Sequence, residues 1–205
     1  MSGLTEADLV SPKYKRELQR MHATQKWGAD GGKHLVGIMK FAADSKSRTV
    51  LDYGCGRGVL KQMLKAPGLT RQWHVEVLEY DPGVPGKDRL PKPVDLVVCT
   101  DVLEHVEPEK LHIVVGHIYA LARRAAYFVI STRLANAVLP SGQNAHLIVR
   151  EADWWRDAIA LQGFDMYEEL ISRHEAIFRV LKPGIRREQP IAGEGIGPDA
   201  ERRGP

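Results

Sequence analysis

Two groups of residues in this chain have the types and spacing to do chemistry. The first is Gly54-Cys55-Gly56-Arg57-Gly58, entered from Thr49-Val50-Leu51-Asp52-Tyr53 and followed by Val59-Leu60. An apolar run, three glycines and an amphipathic stretch read as strand, tight turn and helix. Glycine lets the backbone turn sharply and lets a ligand approach where a Cβ would block it. The helix N-terminus that follows offers unpaired N–H groups and a partial positive charge. A nucleoside-bearing cofactor suits such a turn. The spacing is G-x-G-x-G, whereas the dinucleotide fingerprint is G-x-G-x-x-G. Asp52, two residues ahead, favours a positively charged ligand over a pyrophosphate. Cys55 reads as a small residue filling the loop.

The second group is Thr100-Asp101-Val102-Leu103-Glu104-His105-Val106, directly after the apolar run Val94–Cys99. If Asp101 opens a helical turn, Glu104 and His105 lie three and four residues on, and all three can converge. Three readings stay open. His105 can act as a general base that takes a hydroxyl proton, because imidazole titrates near neutrality. Asp101, Glu104 and His105 can instead hold a divalent ion, with His146 completing the set. Oxygen-rich ligation with one or two imidazoles suits magnesium, manganese or iron better than structural zinc. In the third reading Glu104 caps or pairs and His105 packs against the sheet. His146 ends Leu139-Pro140-Ser141-Gly142-Gln143-Asn144-Ala145-His146, a polar loop past the next strand, so Gln143, Asn144 and His146 face the substrate in a functional reading.

The glycine segment resembles the first motif of class I S-adenosylmethionine-dependent methyltransferases, where the loop passes under the methionine part of the cofactor. The second segment resembles the "VLEHV" run of small-molecule and RNA O-methyltransferases. The methyltransferases of the ubiquinone pathway and of small-RNA 3′ ends have a similar E-x-x-E-H run; here Asp101 stands for its first glutamate. The resemblance implies S-adenosylmethionine as cofactor, held by Asp52, Gly54, Cys55, Gly56, Gly58, Asp81, Thr100 and Asp101. Asp81 matches the acidic ribose position at the end of the second strand. Glu79 competes with it, and Asp81 is preferred because Asp81-Pro82 marks the strand's exit. Trp27, beside the glycine-rich break at Gly28–Gly32, is the best aromatic candidate for the pocket, with His22 a weaker companion. Trp154 and Trp155 read as core more than as stacking platforms. No N/D-P-P-Y/F segment and no Pro-Cys pair is present, which argues against the amino-directed and cytosine-C5 DNA enzymes.

These residues need a scaffold, and the pattern supplies one. From Thr49 the chain alternates strand-like and helix-like segments, which implies a doubly wound α/β, Rossmann-like sheet. The expected strands are Thr49–Tyr53, His74–Tyr80, Val94–Cys99 and Ala126–Ile130, with antiparallel Met166–Ser172 and Ala176–Leu181 closing the sheet as a hairpin. Helices are expected over Val59–Lys65, around Leu111–Leu121 and through Trp154–Leu161. Ser11-Pro12 starts a helix that places Tyr14, Leu18 and Met21 on one face, and Leu35–Ala42 form another. Residues 1–48 thus read as a helical cover, 49–182 as the methyltransferase core and 183–205 as a mobile tail. Between Asp81 and Val94 the family's usual helix and strand are truncated, with at most a short strand near Lys87–Leu90.

The bulk composition adds little against this reading. With 205 residues and 43% hydrophobic content the chain can bury one substantial core. Two cysteines make neither a disulfide framework nor a four-ligand zinc site. The start lacks the charged and apolar regions of a signal peptide, so a cytoplasmic location without membrane contact is the expectation. A net charge of +3 is mild for a nucleic-acid binder. Lys13, Lys15, Arg16 and Arg20, and Arg186, Arg187, Arg202 and Arg203, still permit RNA. The expected function is methyl transfer to an oxygen of a small or nucleotide-like acceptor, with magnesium or manganese as a possible second cofactor. An RNA 2′-O-methyltransferase and a non-catalytic cofactor-binding partner subunit are the alternatives.

Overall fold

The computed structural model describes residues 3–24, 32–65 and 75–185. Trp27, Gly28–Gly31, the arginines from Arg186 onward and most of the expected tail lie outside them. The short helix α1 (Glu6–Leu9) leads into α2 (Pro12–Thr24) and α3 (Leu35–Asp44). Next come β1 (Thr49–Tyr53), α4 (Val59–Leu64), β2 (Glu76–Tyr80) and β3 (Val94–Thr100). After two 3₁₀ turns, Leu103–His105 and Pro108–Lys110, the chain continues as α5 (Leu111–Leu121), β4 (Ala122–Ser131), α6 (Ala152–Ala160), β5 (Asp165–Ile171) and β6 (Glu175–Leu181).

The six strands form one sheet in the order β2-β1-β3-β4-β6-β5. The first four are mutually parallel, and β6 runs antiparallel to both of its neighbours, β4 and β5, forming with β5 the hairpin that the sequence implies. Strand alternation sends Leu51, Tyr53, Val97 and Cys99 to one face, packed with Leu9, α5 and α6. Val50, Leu96 and Val98 go to the other, packed with α3 and α4. Apolar residues on both faces explain why these strands read as nearly continuous hydrophobic runs. A third cluster joins Val10, Tyr14 and Met21 of the N-terminal segment to Leu139 and Ala145 of the loop after β4. The Ser11 hydroxyl accepts the Tyr14 N–H at 3.1 Å, so the α2 start is capped as its sequence predicts.

The segment between Asp81 and Val94 is short as expected: residues 87–90 form bends and coil, and the sheet ends at β2. Two local expectations are corrected. β4 begins at Ala122 rather than Ala126: Ala122 pairs with Val94, and a register shift leaves Arg123 and Arg124 between the paired Ala122 and Ala125, with Arg123 exposed and Arg124 Nε donating to the Ser45 carbonyl at 2.6 Å. Asp101 does not open a helical turn. Its φ is +53°, its N–H donates to the Val129 carbonyl at 2.9 Å, and the 3₁₀ turn starts only at Leu103.

Candidate functional site

The chain passes from β1 to β2 on one side and then returns from β2 to β3 on the other side of β1, and a doubly wound sheet opens its crevice beyond the strand ends at such a switch point. A cleft of about 570 Å³ lies there. One part of its wall is Asp52, Gly54, Cys55, Gly56, Asp81, Thr100 and Asp101; another contains Ser131, Arg133, His105 and His146. The residues that the sequence divides between cofactor and acceptor thus line one cavity.

At the cofactor part, local geometry explains the glycines. Gly54 has φ +77°, and a Cβ on it would lie 2.3 Å from Val102 Cγ2, so the loop after β3 closes against bare backbone. The N–H groups of Gly54 and Cys55 both donate to the Tyr80 carbonyl, at 2.7 and 3.1 Å, tying the glycine loop to the end of β2. Asp81 Oδ2 accepts the Gly56 N–H at 2.9 Å and Oδ1 accepts the Gly83 N–H at 2.8 Å. Each oxygen retains a second lone pair with which to accept a hydroxyl. Glu79 is turned elsewhere: it pairs with Lys61 at 3.0 Å and Lys87 at 2.9 Å and is absent from the cleft wall. Gly58 is also off the wall, heading α4 against Glu79. Burial, reinforced by Glu79 and Asp81, raises the Asp52 carboxyl to about 7.

At the other part, Glu104, His105 and His146 each offer a ligand atom within 4.8 Å of the others. Asp101 lines the cleft but stands outside this trio, a consequence of its left-handed turn. The trio's orientation is fixed by backbone. His105 Nδ1 lies 2.7 Å from the Ala145 carbonyl, and His146 Nδ1 lies 2.5 Å from the Arg133 carbonyl. Carbonyls accept only, so each imidazole carries a proton on Nδ1. The rings meet edge to face, with centroids 4.7 Å apart. Glu104 Oε1 accepts the Ser131 N–H at 2.8 Å, while its Oε2 is buried without a hydrogen-bond partner. Burial, with Asp101 nearby, raises the Glu104 carboxyl to about 8; burial lowers His105 to about 4.

Asn144 has a structural task. Its side-chain oxygen accepts from Ala135 N and His146 N, both at 3.0 Å, bracing the loop that carries His146. Gln143 is exposed and absent from the wall. Trp155 is fully buried in the core and Trp154 is 41% exposed, and neither lines the cleft. His22 does, with Nε2 3.8 Å from Asp81 Oδ1. Sequence reasoning missed Tyr14 as a cleft residue, and it missed Lys33, Arg133, His174 and Glu175. Only the i, i+4, i+8 stripe of Tyr14, Leu18 and His22 could have signalled the first, and nothing in that stripe says what it faces.

The sequence matches the methyltransferase-domain family over residues 19–173. No curated protein matches it at a significant level. Among solved structures, it is similar to magnesium protoporphyrin IX methyltransferase of Synechocystis PCC 6803 with bound S-adenosylmethionine. That match has a TM-score of 0.51 and 15% identity, over 89% of this chain and 99% of that one. A 1,6-didemethyltoxoflavin-N1-methyltransferase of Burkholderia thailandensis, bound to its substrate and S-adenosylhomocysteine, matches with a TM-score of 0.51 and 15% identity, over 83% and 89% of the two chains. At these identities the likeness carries the fold alone. The chain belongs to the methyltransferase-domain family and is a class I S-adenosylmethionine-dependent methyltransferase.

Proposed function

We propose that this enzyme transfers the methyl group to an oxygen of a small or nucleotide-like acceptor bound beside Glu104, His105 and His146. The observation that carries the reading is the pair of imidazoles whose Nδ1 protons are tied to backbone carbonyls, set around a buried, unpartnered carboxylate oxygen. An imidazole oriented by a bond from Nδ1 to a backbone carbonyl is the arrangement that metal-ligating histidines use. The residues present therefore fit a divalent cation, held by Glu104, His105 and His146. Such an ion, when bound, lowers the pKa of an acceptor hydroxyl and orients its oxygen.

The chain's own residues do the remainder. Asp81 accepts the ribose hydroxyls of the cofactor, and the glycine loop lies under its methionine part. Asp52 and Asp101, both on the cleft wall, place negative charge where the cofactor is cationic. The sulfonium already makes the methyl electrophilic, so catalysis rests chiefly on aligning the acceptor in line with it. His105 is a neutral imidazole at physiological pH but a weak proton acceptor, which favours ligation over general-base work.

The test has two arms on metal-stripped protein saturated with S-adenosylhomocysteine or S-adenosylmethionine. Calorimetric titration with manganese should show saturable binding that weakens at least tenfold in Glu104→Gln and in His146→Ala. Release of S-adenosylhomocysteine should then depend on manganese and occur with catechol and phenol probes but not with matched anilines. Methylation of the anilines, or manganese binding unaffected by both variants, contradicts the reading.

A further inference from the structure

The N-terminal helix α2 touches both ends of the cleft. Tyr14, Leu18 and His22 are spaced four residues apart, fall on one stripe and all line the cavity. From Tyr14 to His22 the helix rises about 12 Å. At its far end His22 Nε2 lies 3.8 Å from Asp81 Oδ1, and the Cβ position of Gly83 would be 2.9 Å from Leu18 Cβ, so this end rests directly on the ribose turn. At its near end the buried Tyr14 hydroxyl donates to the carbonyl of His105 at 2.6 Å. The Ser11 N–H donates to Glu107 Oε2 at 2.8 Å, two residues further along the same loop.

The helix also grips the second histidine loop. Tyr14 and Met21 pack with Leu139 and Ala145, and the Ala145 carbonyl is the group that fixes the His105 ring. The Ser141 hydroxyl donates to Glu17 Oε2 at 3.0 Å. The backbone of His105 and the carbonyl that orients its imidazole are thus both held by one helix, which at its other end rests on the cofactor carboxylate.

We infer that Tyr14 is a positioning residue for His105 and that α2 transmits cofactor occupancy at Asp81 to the acceptor end of the cleft. The inference rests on the assignment of the cleft's two ends made above. Ribose hydroxyls arriving at Asp81 meet His22 on the same carboxylate and reseat the far end of α2. The near end then shifts the His105 carbonyl and, through Ala145, its ring. A cofactor-loaded enzyme holds the Glu104–His105–His146 trio in one arrangement; loss of the Tyr14 hydroxyl uncouples it.

The test reads the His105 ring nitrogens by long-range proton–nitrogen NMR, with and without S-adenosylhomocysteine, in the whole protein. In the wild type the cofactor product should move the His105 resonances. In Tyr14→Phe, which keeps the ring in its apolar cluster, S-adenosylhomocysteine should bind within about twofold of wild type while the His105 resonances stay in place. His22→Gln should weaken binding by no more than about fivefold and also lose the response. Binding that leaves His105 unmoved in the wild type, or a wild-type response in Tyr14→Phe, overturns the inference without touching the proposed chemistry. A cofactor-dependent His105 shift in protein that binds no manganese rejects the metal reading and leaves the coupling standing.

Discussion

Asp52 is a residue whose chemistry is strongly changed by its surroundings. Burial is the main cause, and Glu79 and Asp81 add to it, so its carboxyl titrates at about 7 instead of near the ordinary carboxylate value. A folded-state pKa raised above the unfolded one contributes stability that is present below pH 4 or so and is lost as pH rises through about 7. A cationic cofactor reverses the preference, because a positive charge beside the carboxyl favours its ionised form. Binding of S-adenosylmethionine near pH 6.5 should therefore release part of a proton, and affinity should rise with pH up to the Asp52 titration. Calorimetry in two buffers of different ionisation enthalpy should give different heats, and Asp52→Asn should remove the difference. Equal heats for the wild type would place the cofactor's charge away from Asp52. At this scale the sequence conveyed residue types but not directions. Glu79 and Asp81 looked interchangeable by strand alternation, yet β2 ends at Tyr80, so alternation no longer governs Asp81. Lys61 and Lys87, 18 and 8 residues away, draw Glu79 away.

Among the elements, the turn from β1 to α4 most tightly limits what the chain can accept. Gly54→Ala places a methyl 2.3 Å from Val102 and demands φ +77° of an L-residue. It should lower unfolding free energy by about 1–3 kcal/mol in urea denaturation and abolish cofactor binding. Gly86→Ala has a similar φ of +88° but no atom within 4 Å, so it should cost about 1 kcal/mol and leave binding intact. Equal losses in the two variants would mean that the Val102 contact does not matter. This turn was legible because its glycines do a local job. The strands were legible for a related reason: both faces are buried, and continuous apolar runs survive any detail of packing. Asp101 was not legible. Its left-handed conformation follows from pairing with Val129, some thirty residues away, and this pairing removed it from the trio that sequence spacing had assembled.

For the molecule as a whole, function depends on what the sheet brings to one edge. The proposed cofactor residues come from the ends of β1, β2 and β3, His105 from the turn after β3, and His146 from the loop after β4. The cover helix spans them. A shortened segment between Asp81 and Val94 leaves β2 as the last strand on its side, but the switch point between β1 and β3 is unaffected. Among the described residues no helix is long and apolar enough to cross a membrane. The central claim is that this crevice holds S-adenosylmethionine with its ribose on Asp81. Calorimetric titration with S-adenosylhomocysteine, comparing wild type, Asp81→Asn and Glu79→Gln, tests it most directly. Binding should weaken at least tenfold in Asp81→Asn, the loss expected for a hydrogen bond to a charged group, and change little in Glu79→Gln. Binding that tolerates Asp81→Asn and fails in Glu79→Gln, or no binding to the wild type, would contradict the account.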